Sequence, residues 1–213
     1  MENITSMSPM PQATPRGPGE SWLIAIAASA GGIQALAAVL GALPSDLPAA
    51  VVVVQHRFPG KTSRLEQILA RNAHMPVLTA TEDRPVEPGA VYIARPDLHL
   101  TIRPNRRFSY VDGTRIRHVL SSANPLFESA ASAFEQRTIA VVLTGSGTDA
   151  TDGVQTVKRH GGTIIAQDQA TAQYFGMPSA AIKTGAVDHV LPLEAIAPAL
   201  VAIVNGQPVQ AAI

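Results

Sequence analysis

Cysteine does not occur in the 213-residue sequence. Its absence excludes disulfide scaffolds, thiolate zinc sites and cysteine nucleophiles, and accords with a cytosolic location. Net charge is lacking too, because 16 Lys and Arg balance 16 Asp and Glu. A nucleic-acid binder working through bulk electrostatics needs a clear basic excess, so that class is set aside. Long apolar runs are also missing. The longest, Trp22–Ala28 and 49–54, fall far short of the roughly 20 residues that span a bilayer, and no direct membrane insertion is expected. Aromatics make up 4% and charged residues 15%, against 46% hydrophobic. The surplus is Ala, Val, Ile and Leu, which suits buried parallel strands and rules out a disordered chain.

The length fits one large α/β domain, or at most two small ones. Residues 1–20 carry Pro9, Pro11, Pro15 and Pro18 among Ser, Thr and Gly. They lack the apolar run of a signal peptide and are expected to form a flexible tail. The expected division is this tail, a domain over 21–205 and a short C-terminal tail over 206–213. Buried strands are predicted at Trp22–Ala28, 49–54 and 138–143, with weaker ones at 76–80, 90–94, 163–166 and 187–191. Helical patterns fill 33–42, 63–72, 125–136, 150–160 and 193–204. Between 98 and 117 the pattern shortens to alternating pieces at 98–102 and 108–111, with Asn105 and Asp112-Gly113 as turn signals. These pieces read as an antiparallel hairpin attached to the main sheet. Alternation of strand and helix elsewhere implies right-handed crossovers and an α/β fold with a doubly wound, mostly parallel sheet.

In such a sheet, function collects at the carboxyl ends of the strands. Ser29 follows the first strand, His56 follows the second, and Asp149 lies in the Gly-rich loop after 138–143. Adjacent parallel strands are about 4.8 Å apart, so side chains from neighbouring ends can meet in one cleft, as a Ser–His–Asp triad requires. Ala28, Ala30, Gly31 and Gly32 permit a sharp turn around Ser29 and close approach of a substrate. A helix dipole begins there, and its backbone N–H groups can stabilise an oxyanion. The segment 27–31 resembles the G-x-S-x-G elbow with Ala in place of the first Gly. Plainer readings stand beside these. Ser29 can be an N-cap, His56 an incidental residue where a strand reaches solvent, and Asp149 the cap of the next helix. The remaining histidines, His74, His99, His118, His160 and His189, show no ligand spacing, so no metal is assigned. A non-catalytic phosphate- or nucleotide-binding module, using the helix after Gly31-Gly32, is a third reading. Against it, the loop lacks both Gly-rich phosphate fingerprints and no Lys is placed to meet phosphates.

Five segments are more specific in combination. They are 24–32 (IAIAASAGG), 54–56 (VQH), 92–94 (YIA), 143–149 (LTGSGTD) and 175–178 (FGMP). In order and spacing the chain resembles the chemotaxis receptor methylesterase family over nearly all of 22–204. The resemblance implies a doubly wound α/β fold and a serine hydrolase. Its expected substrates are γ-glutamyl methyl esters on the cytoplasmic helices of bacterial chemoreceptors, with glutamine deamidation in some members. It places the nucleophile, base and orienting carboxylate on Ser29, His56 and Asp149. The oxyanion and substrate pocket falls on Ala30, Gly31, Gly145, Ser146 and Gly147. The implied partners are methylated receptor helices or a related protein substrate, met in the cytoplasm, with no cofactor and no nucleic acid. An esterase of the same fold acting on another protein or a small acyl ester is the alternative.

The chain also departs from the family pattern. Members commonly carry an N-terminal receiver domain, whereas only the residues before Trp22 precede the domain here. Regulation by phosphorylation in cis is therefore not expected. Ser146 stands where members often have Met. Ala150 follows Asp149 where Gly is usual, which is expected to limit that loop to dihedrals ordinary for Ala. The family's basic, Pro-containing run ending in Asp is replaced by 115–124 (RIRHVLSSAN), a change that bears on substrate recognition.

Overall fold

A computed structural model describes residues 21–56, 64–111 and 121–210. The β-branched and small apolar runs form strands whose side chains are covered on both faces, as parallel strands between helix layers require. In chain order the strands are β1 (Trp22–Ala28), β2 (Ala49–Gln55), β3 (Val77–Thr79), β4 (Val91–Ile93), β5 (His99–Ile102) and β6 (Phe108–Val111). They are followed by β7 (Thr138–Val142), β8 (Thr163–Gln167) and β9 (His189–Leu191). The helices are α1 (Gly32–Ala42), α2 (Leu65–Ala70), α3 (Ala123–Phe134), α4 (Thr151–Arg159), α5 (Gly176–Lys183) and α6 (Leu193–Val204). Among these residues no helix is long and apolar enough to cross a membrane.

Seven parallel strands make one sheet in the order β3-β4-β2-β1-β7-β8-β9. The chain builds outward from β1 on one side, then returns to lay β7 against the other edge of β1. The carboxyl ends of β1 and β7 therefore flank a topological switch point, where doubly wound sheets leave a crevice. Period-two alternation divides the strands between two cores. Leu23, Ala25 and Ala27 of β1, with Ala50, Val52 and Val54 of β2, pack under α3, α4 and α5. Ile24, Ile26 and Ala28, with Val51 and Val53, pack under α1, α2 and α6.

The hairpin shares no ladder with the main sheet; packing holds it, together with backbone hydrogen bonds to 83–86, where the Phe108 N–H donates to the Arg84 carbonyl and the Asp83 N–H to the Phe108 carbonyl, both at 2.9 Å. β5 and β6 pair only with each other, and Leu100, Ile102 and Phe108 join the core beneath α3. The Phe108 ring meets Tyr92 of β4 at 4.9 Å between centroids. Asn105 falls in its turn, whereas Asp112-Gly113 lies outside the described residues. Helix α3 begins two residues before the predicted start. Proline favours the first helical position, which places the start at Pro125 by sequence, but Ser122 is the N-cap and accepts from the Asn124 N–H.

Helices α3 and α4 touch at a glycine. A methyl group on Gly153 would stand 2.6 Å from Phe127 Cβ and 3.3 Å from the Asn124 Cα. Helix propensity alone favours Gly→Ala by about 1 kcal/mol, but overpacking a tight contact costs about 1–3 kcal/mol. Gly153→Ala is therefore expected to lower the thermal unfolding midpoint; a raised midpoint would contradict this packing.

Candidate active site

The register of β1 on β2 sets the first two groups side by side. Trp22 lies opposite Ala49 and Ala28 opposite Gln55, so one further step places Ser29 opposite His56. The ladder does continue that far, since the His56 N–H donates to the Ala28 carbonyl at 3.0 Å. By alternation both residues extend the rows that face α3, α4 and α5. Gln55 takes the opposite side, with its Oε1 against Gly32 at the start of α1. Its Nε2 donates to the carbonyls of Ser29 at 2.7 Å and His56 at 3.1 Å, which ties the two strand ends together. Ser29 and His56 are partly exposed. Among the described residues the Ser29 hydroxyl makes no hydrogen bond.

The plainer readings of Ser29 and Asp149 do not hold. Helix α1 is capped by Gly31, at φ 75°, with no side-chain bond. Helix α4 is capped by Ala150, again with no side-chain bond. Neither Ser29 nor Asp149 caps the helix that follows it.

Asp149 is 3% exposed and joins His56 through Oδ2 to Nε2 at 2.7 Å. The same oxygen accepts the Ala123 N–H at 2.7 Å, and Oδ1 accepts the Ser122 hydroxyl at 2.6 Å. Burial by itself pushes the carboxyl up. The hydrogen bond and charge of His56, the Ser122 hydroxyl and the Ala123 N–H together outweigh burial and hold it below the ordinary aspartate range. An ionised carboxylate only accepts, so His56 Nε2 carries the proton and Nδ1 keeps its lone pair for the side of the ring away from Asp149. The imidazole is thus turned relative to the Ser–His–Asp template, in which the aspartate takes Nδ1.

The Gly-rich loop closes the crevice. Gly145 is fully used by its backbone, donating to the Tyr174 carbonyl at 2.9 Å and accepting from Met177 N–H at 2.8 Å. A side chain there would meet Ser29 Cβ at 2.8 Å and Met177 Sδ closer still. Its role is to leave room beside Ser29. Gly147 needs its φ of 93°, and Gly31 combines φ 75° with the Gln173 side chain pressed against it. The N–H groups of Ala30, Gly31, Ser146 and Gly147 make no hydrogen bond among the described residues, which leaves them available to an incoming oxygen. Thr144 fastens this loop to its neighbours. Its hydroxyl donates to the Ala30 carbonyl at 3.0 Å and accepts from the Tyr174 N–H at 2.8 Å, while Gln167 Oε1 accepts its N–H at 2.8 Å.

Ser122, Ala123 and the wall formed by Gln173, Tyr174 and Met177 were not singled out as site residues from sequence. A serine at the mouth of a helix is an N-cap signal, but Pro125 drew the predicted start past it. Residues 112–120, which include most of the divergent 115–124 stretch, lie outside the described residues. Among the described residues no cluster of His, Asp and Glu can hold a metal ion.

Ala150 corrects the sequence expectation. It stands at φ 76° and ψ −8°, in the left-handed region and not in dihedrals ordinary for Ala. That geometry costs an L residue about 1–2 kcal/mol, and the buried methyl returns roughly 0.8 kcal/mol by burial. With the two opposed, Ala150→Gly is expected to change urea-unfolding stability by less than about 1 kcal/mol; a loss above about 2 kcal/mol would contradict it.

Asp149 gives a second expectation. Its folded carboxyl titrates below the unfolded one. The stability this supplies is complete above the unfolded value of about 3.9 and is lost as pH falls through the lower folded value. Between pH 7 and pH 3 the urea midpoint is expected to fall further in the wild type than in Asp149→Asn; equal falls would refute the assignment.

The sequence profile of the CheB methylesterase family matches residues 24–200. A protein-glutamate methylesterase/protein-glutamine glutaminase of Caulobacter vibrioides is 38% identical over 192 residues, 88% of this chain and 55% of its own length. Protein-glutamate methylesterase FrzG of Myxococcus xanthus is 40% identical over 194 residues, 90% of this chain and 58% of the relative. The crystal structure of the Thermotoga maritima CheB methylesterase catalytic domain matches with a TM-score of 0.83 at 36% identity. That match covers 86% of this chain and 98% of the other. The chain spans little more than half the length of these two curated relatives. With its fold, its crevice and its sequence all in agreement, the chain belongs to the CheB methylesterase family.

Proposed function

We propose that this chain is a serine esterase that hydrolyses γ-glutamyl methyl esters on the cytoplasmic helices of chemoreceptors, working in the cytoplasm. Ser29 is its nucleophile, His56 its base and Asp149 its orienting carboxylate. The observation that carries the reading is the β1–β2 register, which sets Ser29 opposite an imidazole already held by Asp149 at 2.7 Å. The names of the Caulobacter and Myxococcus relatives support the substrate class.

In this reading His56 Nδ1 takes the Ser29 hydroxyl proton as Oγ attacks the ester carbonyl. Asp149 stabilises the imidazolium that forms. The tetrahedral oxygen is met by N–H groups of Ala30 or Gly31 on one side and Ser146 on the other, each such donor being worth about 3 kcal/mol. Collapse expels methanol, which leaves with the proton from His56. Water, activated by the same nitrogen, then cleaves the glutamyl–Ser29 ester and restores the enzyme. A glutamine side chain follows the same path with ammonia as leaving group, which accounts for deamidation. Ser146 keeps the backbone donor of the usual Met while making that wall smaller and more polar.

The test is methanol release from a methylated chemoreceptor fragment. Ser29→Ala is expected to lower the rate by about 10⁴-fold or more, and Asp149→Asn by a comparable factor through the wrong imidazole tautomer. Unchanged turnover in Ser29→Ala would overturn the proposal.

A further inference from the structure

His99 is a buried histidine that the mechanism does not use. It opens β5 in the hairpin, is 1% exposed, and its Nδ1 accepts the backbone N–H of Ser122 at 3.0 Å. Accepting at Nδ1 requires the neutral ring with its proton on Nε2. The hairpin is not part of the main sheet, so this bond is a direct polar link from that separate unit to the surroundings of Asp149.

What the bond holds decides its importance. Among the described residues three groups donate to the Asp149 carboxylate: two come from Ser122 and Ala123 at the mouth of α3, and the third is His56. The place of that first turn therefore sets where the carboxylate lies, and hence how the imidazole points. In a capping box the N–H of the N-cap residue is satisfied by a Glu or Gln three positions on. Here that position is Pro125, which has no acceptor side chain. The hairpin supplies the missing acceptor instead. The Ser122 hydroxyl is committed as well. It accepts the Asn124 N–H at 3.2 Å and so directs its proton to Asp149.

We propose that His99 is a positioning residue for the Asp149 carboxylate, acting through Ser122 from the hairpin into the crevice. The proposal rests on the reading of Asp149 as orienting carboxylate, and displacement of such a group by about 1 Å is enough to cost on the order of 10²-fold in rate.

Asparagine places its Oδ1 where the histidine Nδ1 stands, glutamine carries its acceptor one bond further out, and leucine has none. The experiment compares His99→Asn, His99→Gln and His99→Leu in the full chain. It measures kcat and KM on a soluble methyl or nitrophenyl ester, and the downfield proton signal of the His56–Asp149 hydrogen bond by NMR. His99→Leu and His99→Gln are expected to lower kcat by about 10- to 100-fold with KM nearly unchanged, and to shift or broaden the downfield signal. His99→Asn is expected to retain both. The kcat losses of His99→Leu and Ser122→Ala are expected to be less than additive in the double variant. If His99→Leu does not fold, the contrast between Asn and Gln decides the matter. Equal behaviour of all folded variants in kcat and signal would overturn the proposal and leave the esterase reading intact. A wild-type protein inactive on every ester, whose signal still separates Asn from Gln, would sink the esterase reading and leave His99 in place.

Discussion

The parallel register of β1 against β2 is the constraint on which the rest depends. Side-chain direction in a strand alternates, so a slip of one residue would turn His56 toward α1 and bring Gln55 into the crevice. The two apolar cores prevent that slip, because every residue of β1 and β2 after Trp22 is buried on one face or the other. Packing of apolar side chains away from the crevice thus fixes the pairing of Ser29 with His56. Gln55 then reinforces the pairing locally, with one amide nitrogen reaching the carbonyls of both strand ends.

A second layer of polar groups surrounds this pair. A carboxylate taken out of water is costly unless fully hydrogen-bonded, and Asp149 meets that demand with a hydroxyl, a backbone N–H and an imidazole. Gln167 and Thr144 do the same for the turn that follows β7. Loops usually give an α/β site its freedom. Here they are pinned by buried side chains, and the groups left open are the backbone donors that face the crevice.

Much of this was legible from sequence because the strands are unusually plain. WLIAIAA and AAVVVV have no alternation to misread, and their ends point directly to Ser29 and His56. Asp149 was legible because two glycines, Gly145 and Gly147, mark the loop that leads to it. The surroundings of the carboxylate were not. Ser122 and Ala123 reach it through tertiary contact, and nothing local in 121–124 announces a partner 25 or more residues away. Ala150 misled for a different reason. Residue preference describes what Ala does when free, whereas this loop is over-determined by Asp149 before it and α4 after it. The hairpin followed from its short alternating pieces and turn signals, but its lack of a ladder shared with the main sheet could not be read from them.

The wall formed by Tyr174 and Met177 belongs to the last third of the chain, while Ser29 stands near its beginning. During synthesis Ser29 and His56 therefore emerge early, at the ends of two neighbouring strands. The partner loops for Gly145 and Thr144 exist only after β8 and α5 have followed. Topology thereby delays the complete crevice until most of the sheet has assembled, so a growing or truncated chain carries Ser29 and His56 without the walls that enclose them in the finished fold.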